Sequence, residues 1–208
     1  MNIAIYGGTF DPVHRGHLEA ARAAAEEYAL DRVLLVPAGQ PPHRAHSPGA
    51  DFEHRYRMVE LACQGDSRLI ASRLEAPGDD GKRHYSIDTI QCVRSELAPG
   101  DRLFFVIGAD AFAEIGTWYR WREILDIVEF IVVSRPGEEL AAENVPAVAT
   151  VHWLRNVNVP ISSTEIRRRL AQGQSADEWL DPAVAEYIRS HTLYTRQTSS
   201  LKVCGGGA

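Results

Sequence analysis

Gly7-Gly8-Thr9-Phe10-Asp11-Pro12-Val13-His14-Arg15-Gly16-His17 is the stretch that decides how this chain folds. Before it, Asn2-Ile3-Ala4-Ile5-Tyr6 is a short apolar run of the kind buried in a parallel sheet. After it, 17–28 is dense in strong helix formers. The glycines therefore fall in a strand-to-helix turn. Lacking a Cβ, Gly7 and Gly8 let the chain turn tightly and let an anion approach the main chain, while the following helix aims its free amides and positive dipole end the same way. His14 and His17 stand three apart at the helix entrance, so both side chains reach one site. Two imidazoles there can donate hydrogen bonds to phosphoryl oxygens, and they gain charge when a polyanion is near. The run lacks the Lys-Ser/Thr of a P-loop and the spacing of G-x-G-x-x-G, which argues against both.

The rest of the chain repeats the strand-then-helix alternation. Apolar runs at 32–37, 69–74, 103–107, 130–134 and 151–154 are separated by helical patterns at 52–63, 86–97, 119–127, 163–172 and 182–190. Strands too apolar to face water on either side predict an α/β protein: a doubly wound parallel sheet, Rossmann-like, with helices on both faces. Ligands in such sheets bind beyond the carboxyl ends of the strands, and the motifs all fall there. The 208 residues suit one domain, placed at 1–196, with Leu193-Tyr194 strand-like near its end. The tail 197–208, closing in Cys204-Gly205-Gly206-Gly207-Ala208, is expected to be disordered and without chemistry.

Composition narrows the partners. A net charge of −6 gives no basic field for nucleic acid, so phosphates must be held by local arginines and backbone amides, and the ligand is expected to be small. Three cysteines without metal-ligand spacing, together with no signal peptide and no long apolar span, fit a reducing cytoplasm and no membrane partner. Cys63 and Cys92 fall on helical patterns among apolar neighbours and read as buried and inert.

Further segments add candidate chemistry. In Ile161-Ser162-Ser163-Thr164-Glu165-Ile166-Arg167, Ser162 and Glu165 have capping-box spacing, which alone describes a well-capped helix with a basic face. Set beside the histidines, that hydroxyl-rich start with Arg167 one turn in makes a second phosphate grip. Pro41-Pro42-His43-Arg44 follows the second strand as a stiff loop offering a cation, and Gly108-Ala109-Asp110 follows the strand 103–107 as a turn and cap. Trp118 and Tyr119 offer flat faces for stacking a ring. Arg135, in Ser134-Arg135-Pro136-Gly137, lies just past a strand and can pair with a phosphate.

The first run closely resembles the GxFDPxHxGH signature of the nucleotidylyltransferase superfamily, and 161–167 resembles its ISSTxIR motif. With PPHR, the DT of His84-Tyr85-Ser86-Ile87-Asp88-Thr89, the Gly108-Asp110-Trp118 spacing and SRPG, about 190 residues in order resemble the bacterial nicotinate-nucleotide adenylyltransferases. The resemblance implies transfer of AMP from ATP to nicotinate mononucleotide, giving nicotinate adenine dinucleotide and pyrophosphate. It implies catalytic roles for His14, His17 and Arg167, and ATP contacts from Gly7, Gly8, Thr9, Phe10, His14, His17, Gly108, Asp110, Ser162, Ser163, Thr164 and Arg167. Acceptor contacts fall to Arg44, Ser86, Trp118, Tyr119 and Arg135. The acceptor phosphate, already an anion, would attack the α-phosphorus directly, so no protein nucleophile is required. No carboxylate cage is visible for a metal, so Mg²⁺ is expected to arrive with ATP. Two departures stand out: HYS replaces SYT, keeping the hydroxyl, and the segment 75–84 is longer than the family's usual spacing. Alternatives within the enzyme class are phosphopantetheine, a polyol phosphate with CTP, or the nicotinamide mononucleotide amide as substrates. Outside it stands a silent nucleotide-binding module, which would have no need of all three catalytic side chains. A homo-oligomer is compatible with the sequence, which does not specify one.

Overall fold

A computed structural model of the chain describes residues 1–39, 49–78, 84–134, 146, 148–155, 157 and 161–195. Six strands form one parallel sheet: β1 (Asn2–Gly8), β2 (Arg32–Pro37), β3 (Leu69–Ala71), β4 (Arg102–Gly108), β5 (Glu129–Val133) and β6 (Val151–Leu154), in the order β3-β2-β1-β4-β5-β6. The helices are α1 (Arg15–Glu27), α2 (Phe52–Cys63), α3 (Ser86–Ser95), α4 (Ala109–Ala113), α5 (Trp121–Ile127), α6 (Ser163–Ala171) and α7 (Pro182–Ser190). This is the doubly wound arrangement predicted from the alternation.

Side-chain alternation along the strands divides the core in two. Ala4, Val33, Leu35, Phe104, Val106 and Ile131 face one layer with α1, α2, α6 and α7. Ile3, Ile5, Leu103, Phe105, Ile107, Phe130 and Val132 face the other with α3, α4 and α5. Because the pleat has a period of two, both faces of each strand are apolar, which is why the strands read as unbroken apolar runs. α1 buries Leu18, Ala20, Ala21, Ala24 and Ala25, and its small side chains let the helix lie close to the sheet.

The winding reverses at β1. The chain runs outward from β1 to β2 and β3, then returns to β4 on β1's other side, so the turns after β1 and β4 diverge and leave a crevice at their carboxyl ends. Gly8 and Gly108 close those two strands.

Several expectations need correction. β3 spans only Leu69–Ala71, although Ser72 adds one more amide bond to the Leu35 carbonyl. The helix expected over 119–127 starts at Trp121 because Arg120 is left-handed, with φ 54°, and an additional short helix, α4, follows Gly108 directly. Leu193 and Tyr194 form a turn rather than a strand, with φ 53° at Thr192 and 63° at Tyr194. Cys63 is buried, but Cys92 is exposed: the inward face of α3 is Ile87, Ile90 and Val93, and position 92 points the other way. The tail 197–208 lies outside the described residues.

Candidate active site

Among the described residues, two clefts open at the carboxyl end of the sheet, one on each side of the β1 terminus. The first, about 310 Å³, lies on the α1/α6 face and is lined by Tyr6, His14, His17, Gly108, Asp110 and Ser162 to Thr164, among others. The amino ends of two helices, α1 and α6, converge on it, giving amides and a positive dipole end from both sides.

The histidines are tightly organised. His14 is the N-cap of α1, only 7 % exposed, and its ring lies 3.7 Å from that of His17 between centroids. The His14 backbone amide donates to His17 Nδ1 at 3.2 Å. A nitrogen that accepts carries no proton, so neutral His17 bears its hydrogen on Nε2, free to be offered as a donor. Burial first, and the neighbouring His14 second, hold His17 well below the ordinary imidazole range. In the absence of a polyanion, His17 therefore presents a neutral N–H dipole rather than a charge.

Beneath the histidines lies a polar hub that the sequence did not single out. The Asp11 carboxylate, 1 % exposed, accepts from the Gly49 amide (2.7 Å), the Ala50 amide (3.1 Å) and the Tyr194 hydroxyl (2.8 Å). Burial, and then the Asp11 charge, push the Tyr194 phenol well above its usual range, so it stays a donor. Arg167 donates from Nη1 to the Asp11 carbonyl at 2.6 Å, with the Asp11 carboxylate at 3.5 Å, and from Nη2 to the Thr164 hydroxyl at 3.3 Å. Arg55, also 1 % exposed, reaches the Thr9 carbonyl (2.8 Å), the Ala50 carbonyl (3.2 Å) and the Gly39 carbonyl (3.4 Å). Ser163 Oγ donates to the Pro12 carbonyl at 3.0 Å, fastening α6 to the same loop, and Ser162 Oγ accepts the Glu165 amide at 3.2 Å, as its cap spacing predicted.

Arg167 is thus engaged with Asp11 and is not among the residues lining the cleft. Phe10, expected to touch ATP, instead has a ring buried to 1 % exposure, edge-on to Tyr6 and His17. That ring explains Gly8: a Cβ there would lie 3.0 Å from it, tighter than carbon contacts allow without displacement. Phe10 therefore supports the turn and leaves its side chain no face for a ligand.

The second cleft, about 300 Å³, lies on the α3 face and is lined by Gly7, Gly8, Thr9, Glu75, His84, Tyr85, Ser86, Phe105, Trp118 and Tyr119, among others. The structure brings Gly7, Gly8 and Thr9, expected to contact ATP, to this side, and joins them to Ser86, Trp118 and Tyr119. Trp118 stands edge-on to Phe105 at 5.9 Å between centroids. Tyr119, 55 % exposed, lies 4.6 Å from Tyr85. Arg44 and Arg135, and with them the PPHR and most of the SRPG segment, lie outside the described residues.

Asp11 had been read only as part of its motif, and Arg55, Tyr194 and Glu75 were not singled out. Arg55 left a signal: on α2 it shares the stripe of Met58, Val59 and Ala62, and a charge on an apolar stripe must find partners inside. Glu75 and Tyr194 left none, since their neighbours are distant in sequence.

The cytidylyltransferase-like family matches residues 5–169. A protein of Solibacter usitatus named "Probable nicotinate-nucleotide adenylyltransferase" is 54 % identical over 194 residues, 93 % of this chain and 100 % of its own. A Thermus thermophilus protein of the same name is 44 % identical over 196 residues, with the same two coverages. In fold, the chain is similar to the Plasmodium falciparum nicotinic acid mononucleotide adenylyltransferase complexed with NaAD, with a TM-score of 0.75 and 19 % identity over 93 % of this chain and 97 % of that one.

Proposed function

The chain belongs to the cytidylyltransferase-like family, among its nicotinate-nucleotide adenylyltransferases, and from that membership we propose that its two clefts each hold one substrate of a direct adenylyl transfer. The reaction moves AMP from ATP to nicotinate mononucleotide, giving nicotinate adenine dinucleotide and pyrophosphate, a step of NAD biosynthesis. The observation that carries the assignment of clefts is their meeting across the end of β1, with a helix-dipole, histidine-lined cavity on one face and an aromatic one on the other.

In this reading the triphosphate lies in the first cleft, against the amino ends of α1 and α6. His17 Nε2–H and His14 face the α- and β-phosphate oxygens, where negative charge grows in the transition state. Ser162, Ser163, Thr164 and the amides they start hold the outer phosphates, and Gly108 and Asp110 border the nucleotide. Arg167 is committed to Asp11, so it shapes the motif loop and offers a phosphate only its outer edge. The pyridine ring lies in the second cleft against Trp118 and Tyr119, with Ser86 at the start of α3; Arg44 and Arg135 are its proposed phosphate partners.

An acceptor phosphate oxygen bonds to the α-phosphorus as the bond to the β-phosphate oxygen breaks, and pyrophosphate leaves. Holding both reactants across one strand end supplies the proximity. His17 does not serve as the nucleophile: Nδ1 is occupied by the His14 amide and Nε2 carries the proton. Among the described residues no cluster of three metal-ligating side chains exists, and the single carboxylate lining the first cleft, Asp110, suits a cation that arrives on the triphosphate. Mg²⁺ bound that way would neutralise phosphate charge. No helix of the described residues is long and apolar enough to cross a membrane, and we propose a cytoplasmic enzyme.

The test is pyrophosphate release from Mg·ATP with nicotinate mononucleotide or nicotinamide mononucleotide as acceptor. Release with the acid and none without acceptor is the expected result. Release with neither acceptor removes the functional assignment and leaves only the fold.

A further inference from the structure

Two carboxyl groups that the reaction as described does not use line the acceptor-side cleft, the exposed Glu114 and the partly buried Glu75, and only the second is held in place. Glu75 follows β3, and on its inner side its Oε1 accepts a hydrogen bond from Thr89 Oγ1 at 2.9 Å, on the first turns of α3. Its backbone is fixed as well: a Cβ on Gly39 would lie 2.1 Å from the Glu75 carbonyl, so the end of β2 presses directly on this residue. Glu75 is therefore held at its carboxyl group by Thr89 and at its backbone by Gly39, on the wall that also bears Tyr85, Ser86 and Trp118.

Resting on the proposed function, we propose that Glu75 is a specificity-determining residue for the acceptor ring, acting as a neutral carboxylic acid that donates a hydrogen bond to the carboxylate of the pyridine and discriminates it from an amide. An ionised carboxylate in that wall would repel a second carboxylate and would accept from an amide NH₂, so the protonation of one side chain exchanges the preferred substituent. Burial raises Glu75 to about 7, against a smaller lowering by the Thr89 bond. The other ionisable or charged groups facing it from the described elements are His84 and Tyr85 before α3, Glu114 and Tyr119 beyond α4, Arg55 of α2 by way of Gly39, and Arg73 just upstream, itself paired with Glu53. Of these, His84 is an imidazole whose cation would also favour the acid, and the experiment separates its contribution from that of Glu75.

The experiment measures kcat/KM for nicotinate mononucleotide and for nicotinamide mononucleotide from pH 6 to 8.5 and follows their ratio. Both acceptors carry the same 5′-phosphate, and both use the same histidines and ATP, so those ionisations cancel. A group titrating near 7 falls about 30-fold in its protonated fraction over that span, so the acid-to-amide ratio should drop roughly tenfold or more in the unsubstituted enzyme. Glu75→Gln, neutral at every pH, should abolish the slope, while His84→Gln should keep it. Should Glu75→Gln fail to fold, Thr89→Val serves: loss of a donor to the ionised form should move the midpoint to higher pH. A flat ratio in the unsubstituted enzyme, a slope that survives Glu75→Gln, or one that disappears in His84→Gln would overturn the proposal. Turnover with neither acceptor at any pH would instead remove the function on which it rests.

Discussion

On the α1/α6 face of the β1 terminus, the first cleft is fastened by charge: Asp11, Arg167, Arg55 and Tyr194 tie the motif loop to residues 49–50, α6 and the C-terminal turn. On the α3 face, the second cleft is walled by Phe105, Trp118, Tyr85 and Tyr119, packed edge-on or tilted, with Glu75 as its held carboxyl. Under the proposed assignment, the difference follows from what each cleft must do. Stabilising charge that appears only in the transition state needs dipoles that cannot reorient, and a network of buried hydrogen bonds supplies that rigidity. Accepting a flat ring needs area and a little selectivity, which aromatic faces and one polar group provide. Substitutions on the first face should therefore affect kcat and stability, and those on the second the acceptor's KM.

The largest effect should come from His17→Ala, which removes a preoriented donor. We expect kcat to fall roughly 10²- to 10³-fold with a much smaller change in the KM for ATP, measured by steady-state pyrophosphate release. A rise in that KM with kcat unchanged would mean that the histidine merely binds. Asp11→Ala should follow, because it strands the Gly49 and Ala50 amides and the Tyr194 hydroxyl and removes the ion-pair partner of Arg167 in one step; a loss of about 3 kcal/mol in urea unfolding is expected. On the other face, Trp118→Ala should cost about 1–2 kcal/mol in acceptor kcat/KM, from lost ring contact, and leave the KM for ATP in place. Equal losses for both substrates would erase the distinction between the clefts.

Tyr194→Phe tests the same hub more gently. It removes one donor to a buried carboxylate and should cost about 1.5 kcal/mol of stability. The smallest effect concerns pH. His17 is depressed in the folded state, so below its unfolded value of about 6.5 the unfolded chain binds the proton that the folded one refuses. Its contribution is complete above that pH and is lost as pH falls. The drop in urea midpoint between pH 7.5 and 5.5 should accordingly be smaller in His17→Asn than in the unsubstituted protein.

The first face was more legible in the sequence than the second, for a physical reason. Its chemistry sits in two contiguous runs, 10–17 and 162–167, because a strand-to-helix turn and a helix start each build a site from neighbouring residues. The strands were equally legible, since burial on both faces leaves unbroken apolar runs. What could not be read was contact between segments distant in the chain: Tyr194 bonds Asp11 across 183 positions, and Arg167 reaches the Asp11 carbonyl across 156. Those contacts turned an expected strand at 193–194 into a left-handed turn and give Arg167 a structural partner besides its proposed phosphate role. That the Phe10 ring points inward could not be read, because a motif gives residue types without saying which side chains face the core. Glu75 follows β3 and has meaning only beside Thr89, which arrives with α3.

The central claim is that the acceptor phosphate reaches the α-phosphorus directly across the end of β1. The stereochemistry of transfer from ATP bearing a single sulfur, of known configuration, on its α-phosphorus tests it most directly. One in-line displacement predicts inversion at phosphorus in the dinucleotide product; retention would require two displacements through a covalent adenylyl-enzyme and would contradict the account.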